Sequence, residues 1–293
     1  MSALASDTPL SSADALETPS GKGRGDENFP VGSFLIRKDL RPHVHAFYRF
    51  ARSADDIADN PLLSADDKLR RLDRMGEILD GVSGRAPEDD SPAASAMRSS
   101  LAETGTTAQH CHDVLRAFRL DATKLRYRDW DDLMEYCRYS ASPVGRQLLD
   151  LHGENRNTWP ASDALCSALQ VLNHLQDCAD DYRDLNRVYL PLDLMGEAGV
   201  AVEELTAPAA SAGLRRVLDG LLDSTDALIA AAAGLPGGVA ARGLRWESAT
   251  IVDLARRLSR LLRRGDPLAT RVALGKRAFA AALVTGIMRG RRR

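Results

Sequence analysis

Two groups of aspartates carry the chemistry in this chain: Asp55-Asp56-x-x-Asp59 and Asp177-x-x-Asp180-Asp181-x-x-Asp184. Asp55 and Asp59 are four residues apart, as are Asp177 and Asp181. On an α-helix that spacing puts both carboxylates on one face, one turn apart. Asn60-Pro61 follows the first group, and Asn186 and Pro191 follow the second. Proline cannot continue a helix, so both groups are predicted to end their helices. Carboxylates there meet the negative end of the helix dipole, at a cost of up to about 1 kcal/mol each. A cation is expected to offset that cost, and a divalent metal is the natural candidate.

The predicted helices containing these groups are otherwise apolar. From Ala164 to Leu185, Leu165, Ala168, Leu169, Leu172, Leu175, Cys178 and Ala179 cover most of the circumference. Gln170, Asn173, Asp177, Asp181 and Asp184 form a stripe at spacings of three and four. A solvated stripe would mix in lysine, and this one has none. Unpaired buried carboxylates are very costly, so the stripe should face a wet cavity and a cation. In the first helix, His43 to Asp59, the apolar body is Val44, Phe47, Phe50, Ala51, Ala54 and Ile57. Tyr48, Arg52, Asp55, Asp56 and Asp59 follow one another at helical spacing. An arginine beside metal-binding carboxylates suits a phosphate, because its guanidinium forks onto oxygens that the metal does not take. Magnesium prefers hard oxygen ligands, few carboxylates and phosphate oxygens to complete its shell. Magnesium on a diphosphate makes a good leaving group and leaves a carbocation behind.

The rest of the chain must position these stripes. Of its 293 residues 44% are hydrophobic, ample for one large core. The net charge of -2 gives no field to recruit nucleic acid. Cys111, Cys137, Cys166 and Cys178 lack C-x-x-C spacing and are expected to be reduced, mostly buried thiols of a cytoplasmic protein. His110-Cys111-His112 is set aside as a metal site, since adjacent side chains diverge and no partner pair stands elsewhere. Residues 1–26 are expected to be a disordered tail with no signal-peptide pattern. Beyond them, apolar residues recur at helical spacing and strand patterns are nearly absent, which predicts one all-α domain over 27–293 with about ten helices. No run approaches the ~20 apolar residues of a membrane span. The C-terminal apolar piece with four arginines, Ala278 to Arg293, suits either a last core helix with a basic tail or contact with an anionic membrane surface.

Residues 46–59, 136–145 (Tyr-Cys-Arg-Tyr-Ser-Ala-Ser-Pro-Val-Gly) and 168–191 together resemble the squalene/phytoene synthases. The resemblance spans about residues 27 to 285. It implies the isoprenoid (terpenoid) synthase fold, a helical bundle around a central cavity. Residues 27–34, 140–146, 173–177 and 264–271 are more narrowly similar to the bacterial hydroxysqualene-forming branch of hopanoid pathways. That branch acts on presqualene diphosphate made by a sister enzyme. It ionises the diphosphate, rearranges the cation and captures water.

Carried over by position, Asp55, Asp59, Asn173, Asp177 and Asp181 would bind Mg2+. Arg52, Gln170 and Arg187 would contact the diphosphate. Tyr48 would lie near the cation, with Phe29 and Val144 along the prenyl channel. The four aspartates of the metal set and Tyr48 make up the expected catalytic set. Arg271 is open between a phosphate contact and a surface arginine, and the role of Asp180 is open. Many relatives have arginine where this chain has Gln176, and Arg-Gly-Arg where it has Leu185-Asn186-Arg187. Two fewer positive contacts suit an enzyme that ionises one preformed intermediate. The alternatives are a presqualene diphosphate or phytoene synthase condensing two prenyl diphosphates, and a non-enzymatic assembly factor of the same fold.

Overall fold

The computed structural model of the chain describes residues 16–17, 35–82 and 90–290. Twelve α-helical segments lie among them: α1 (Arg41–Asp59), α2 (Ala65–Leu79), α3 (Pro92–Thr104), α4 (Gln109–Thr123), α5 (Trp130–Ser140), α6 (Ser142–Leu151), α7 (Trp159–Leu185), α8 (Leu192–Glu197), α9 (Ala212–Ala231), α10 (Leu235–Gly238), α11 (Arg242–Arg264) and α12 (Lys276–Gly290). The fold is all-α, as the helical periodicity predicts. The two segments beyond the expected ten are α8 and α10. At six and four residues they are too short to show a period.

Capping explains most of the boundaries. Ser64, Ser91, Asp129 and Ser211 each accept a backbone N–H in the first turn of the helix they start. Proline opens α1, α3, α6 and α7, where its missing N–H has no intrahelical partner to lose.

Two apolar cores hold the helices. One joins α1 to α4 through Phe47, Phe50, Ile57, Leu72, Met75, Met97 and Leu115. The other surrounds α7 through Leu165, Leu172 and Leu175, which meet Leu218 and Leu222 of α9 and Leu258 and Leu262 of α11. Each such buried side chain contributes roughly 1.5–3 kcal/mol. Helix α4 serves both cores, with Leu115 in the first and Ala117 in the second. α4 therefore links the core that holds α1 to the core that surrounds α7.

Within the tail expected to be disordered, the described pair Leu16-Glu17 is anchored. Leu16 is buried against the first core, and its carbonyl accepts from Arg71 Nη1 at 3.2 Å. Glu17 Oε1 accepts from Ser91 Oγ at 2.5 Å and from the Ala93 N–H at 2.9 Å. Its other oxygen accepts from Ser53 Oγ at 3.2 Å. A carboxylate on the first N–H groups of α3 is favoured by the dipole of that helix.

Candidate active site

α1 ends at Asp59 with no basic residue in its last turn. Two arginines offset its carboxylates instead. Arg52 reaches Asp55 Oδ2 at 2.9 Å and Asp56 Oδ1 at 2.8 Å. Arg187 is 5% exposed and uses all three guanidinium nitrogens. Nη1 donates to Asp59 Oδ1 at 2.6 Å, Nη2 to the Ala58 carbonyl at 3.0 Å and Nε to the Asp121 carbonyl at 3.0 Å. One buried cation thus closes the negative ends of both α1 and α4. The expected diphosphate contact at Arg187 coincides with this three-way tie.

The chain after α7 places Arg187. Asn186 takes a left-handed turn at φ 52°, a conformation asparagine tolerates better than most residues. The Val188 N–H then donates to the Leu125 carbonyl and the Leu192 N–H to the Tyr127 carbonyl, each at 2.9 Å. This short pairing aims Arg187 and Tyr189 inward.

On α7, Gln170, Asn173, Asp177 and Asp181 are half-buried, while Val171, Leu172, Leu175 and Cys178 around them are buried. Four of the five residues of the expected stripe thus share a half-buried face, and the fifth, Asp184, lies outside it. Asp180 and Asp184 are exposed, and Asp180 pairs with Arg183 at 2.9 Å.

A chain of contacts joins the two walls. Tyr136 and Tyr189 donate their hydroxyls to the two oxygens of buried Asp121, each at 2.8 Å. The ring of Tyr189 stacks on His174 with centroids 3.6 Å apart. The Gln170 amide donates to His174 Nε2 at 3.1 Å. His174 Nδ1 lies 3.9 Å from Asp181 Oδ2. Contacts thus run from Asp59 through Arg187, Asp121, Tyr189 and His174 to Asp181.

Burial raises three carboxyls in the site, Asp55, Asp121 and Asp177. Asp55 keeps part of its side chain open, yet sits deep enough that burial, then the charge of Asp59, pushes it up to about 8 against the pull of Arg52. Burial raises Asp121 to about 6, opposed by Arg187 and the two tyrosine hydroxyls. Burial, then Asp181, raises Asp177, with His174 and Arg271 opposing. A bound cation would favour the ionised form of each.

The other expected site residues are placed as follows. Tyr48 is half-buried on α1, one turn before Arg52. Val144 is 47% exposed on α6. Its neighbour Gly145 faces α7 so closely that a Cβ there would lie 2.3 Å from Ser162 Oγ and 2.7 Å from Cys166 Sγ. Phe29, with the 27–34 motif, lies outside the described residues.

Three members of the site had no sequence signal of their own. Asp121 is one of two acidic residues on α4, eight residues from the other, Asp113, and belongs to no motif. His174 sits inside a motif whose metal ligands drew the attention. Lys68 of α2 is half-buried and close enough to Asp59 and Arg187 to feel both charges, with burial and Arg187 lowering its pKa.

The squalene/phytoene synthase profile matches residues 22–278. The chain belongs to the squalene/phytoene synthase family. This family processes prenyl diphosphates enzymatically. The chain is 47% identical over 268 residues to the hydroxysqualene synthase of Rhodopseudomonas palustris, covering 92% of this chain and 90% of that protein. It is 47% identical to the hydroxysqualene synthase of Zymomonas mobilis, over 86% of this chain and 84% of the relative. Among solved structures it is similar to the squalene synthase HpnC from Alicyclobacillus acidocaldarius. That likeness has a TM-score of 0.70 at 30% identity, over 82% of this chain and 90% of the other. The helical squalene/phytoene synthase fold expected from residues 46–59, 136–145 and 168–191 is thereby shown.

Proposed function

We propose that this protein converts presqualene diphosphate to hydroxysqualene with Mg2+ as cofactor. The observation that carries this reading is the pair of half-buried acidic stripes, on α1 and α7, joined by one chain of contacts. The strong sequence likeness to hydroxysqualene synthases supports the choice of substrate.

Asp55, Asp59, Asn173, Asp177 and Asp181 offer only hard oxygen donors, which suits magnesium. Among the described residues no three acidic, histidine or cysteine side chains converge on one point. Each pair would therefore hold an ion only with oxygens from water and diphosphate completing the shell. When bound, magnesium would neutralise the departing diphosphate.

The chain's own residues do the rest. Arg52, paired with Asp55 and Asp56 in the free protein, would turn onto a phosphate oxygen once magnesium takes Asp55, and Arg187 keeps Asp59 aimed. The diphosphate leaves with the electrons of its C–O bond. The cyclopropylcarbinyl cation left behind rearranges, with Tyr48 offering an aromatic face toward it. Water adds its oxygen to the rearranged cation and loses a proton, giving the alcohol. The stripes are walls of a site in which this cation is kept from premature quenching.

Purified protein with Mg2+ and presqualene diphosphate should yield hydroxysqualene, with or without NADPH. Unchanged presqualene diphosphate alongside condensation of farnesyl diphosphate would overturn the reading in favour of a condensing synthase. No product from either substrate would favour an assembly factor.

The reading extends to location. No helix among the described residues is long and apolar enough to cross a membrane. α12 exposes Val284 and Met288, and Lys276 and Arg277 begin it. We place this face against an anionic membrane surface, where an apolar substrate is handed over from the sister enzyme that makes it. Co-sedimentation with anionic but not zwitterionic vesicles is the expected result.

A further inference from the structure

The segment between α11 and α12, residues 265–275, reaches α7 beside the acidic stripe, and its course is fixed by side chains. At its start, Arg215 Nη1 donates to the carbonyls of Leu262 and Gly265 at 3.1 and 3.0 Å. Asp266 Oδ2 accepts the Ala210 N–H at 2.8 Å, and Asp266 Oδ1 accepts the Leu268 N–H at 3.0 Å. Farther along, the Gln176 amide donates to the Val272 carbonyl at 2.5 Å. Both Gln176 and Val272 are buried.

This last tie bears on the site. Gln176 is the residue before Asp177, and Val272 is the residue after Arg271. The bond therefore sets Arg271 beside Asp177, close enough for its charge to oppose the effects of burial and Asp181 on that carboxyl. Arg271 itself is exposed. Glutamine suits the anchor. Its amide satisfies a buried carbonyl, an acid would repel both that carbonyl and Asp177, and an apolar residue would leave the carbonyl unpaired.

We propose that Gln176 is a positioning residue that pins the 265–275 segment to α7 and so holds the guanidinium of Arg271 over the anion bound at Asp177 and Asp181. The proposal rests on the reading of these stripes as a magnesium–diphosphate site. It assigns Gln176 a role through the backbone of Val272 and not through its own charge.

The test uses Gln176→Met, Arg271→Ala and the double variant in the full-length protein. The readouts are the affinity for inorganic pyrophosphate with Mg2+, measured by calorimetry, the KM for presqualene diphosphate, and the rate of tryptic cleavage at Arg271. Each single variant should weaken pyrophosphate binding and raise KM about tenfold, with kcat little changed. The double variant should be no weaker than the worse single one, since both act through one contact. Gln176→Met should also speed cleavage at Arg271. Should Gln176→Met not fold, Gln176→Asn keeps the amide but is too short to span the gap, and carries the same expectation. Unchanged affinity, unchanged cleavage, or losses that multiply to about 100-fold in the double variant would each overturn the proposal. If wild-type protein binds magnesium pyrophosphate but leaves presqualene diphosphate intact, the substrate reading fails and the positioning role stands. If it binds no pyrophosphate, both fall.

Discussion

Asp59 meets two demands, one from the fold and one from the chemistry. It lies at the negative end of α1, and the fold answers with the guanidinium of Arg187. Removing Arg187 leaves the partly exposed Asp59 charge and two buried carbonyls without their donor, at about 3–5 kcal/mol together. Arg187→Met should therefore lower Tm by roughly 6–20 °C, at about 2–4 °C per kcal/mol for a chain of this size. Arg187→Lys keeps the charge but cannot serve three acceptors, and should fall between. Scanning calorimetry checks both, and a shift under about 2 °C for the Met variant would remove the structural role. Asp177 is a different case. Asp177→Asn keeps the shape and loses the charge, so the fold should survive. Turnover should fall by more than about 100-fold, the loss typical of disturbing only the outer shell of a metal site. Near-normal product formation by this variant would end the metal assignment. Asp121 gives a pH signature. Its folded pKa is raised to about 6 by burial, so folding favours the neutral acid more than the unfolded chain does. The stability it contributes is full below its unfolded value, near 4, and is lost as pH rises through about 6. Asp121→Asn removes that dependence. The stability of wild type relative to Asp121→Asn should fall between pH 4 and pH 7, and a constant difference would contradict the burial argument.

At the scale of elements, the helix ends were the readable part. Asn60-Pro61 stops α1 at Asp59, and Asn186 caps α7 after Leu185. Four-residue spacing then leaves the carboxylates little choice of face. The segment at 141–145 was only partly readable. Pro143 falls in the first turn of α6, after a break at Ala141. Gly145 is needed for another reason: α6 approaches α7 at that point with no room for a side chain. Gly145→Ala forces Ser162 and Cys166 aside. Overpacking of this kind costs typically about 1–3 kcal/mol, and it would push Val144 away from α7. The expected result is a lower midpoint in urea with an unchanged m-value, accompanied by reduced turnover. A variant as stable as wild type would mean that the two helices separate freely. Partners distant in sequence were not readable. Glu17 caps α3 and ties Ser53 across long stretches of chain, and nothing near Leu16-Glu17 signals a helix. His174 gains its link to the other wall from the ring of Tyr189.

The whole molecule is built so that two helices meet through a third. α4 contributes to both apolar cores, and its Asp121 receives Arg187 from one side and two tyrosines from the other. Local patterns specify each wall, but the path between walls needs the tertiary fold, which is why Asp121 and Lys68 went unmarked in the sequence. The arrangement concentrates acidic groups that burial pushes toward neutrality. Any ligand set that neutralises both stripes together should stabilise the whole fold, beyond its effect on either helix. Magnesium alone would meet the carboxylates without the phosphate oxygens needed to complete its shell, and pyrophosphate alone would meet like charge. Together they should act in concert. At a concentration 100 times its Kd, a ligand bound only to the folded state adds about 2.7 kcal/mol. For a chain of this size that corresponds to about 5–11 °C in Tm. The expected pattern is therefore a small shift with Mg2+, none with pyrophosphate, and a larger one with both. Asp177→Asn should abolish the joint effect, as should Asp55→Asn on the opposite wall. If one of these variants kept the full shift, the two stripes would not share a ligand. The site would then reduce to a single acidic helix end with its arginine.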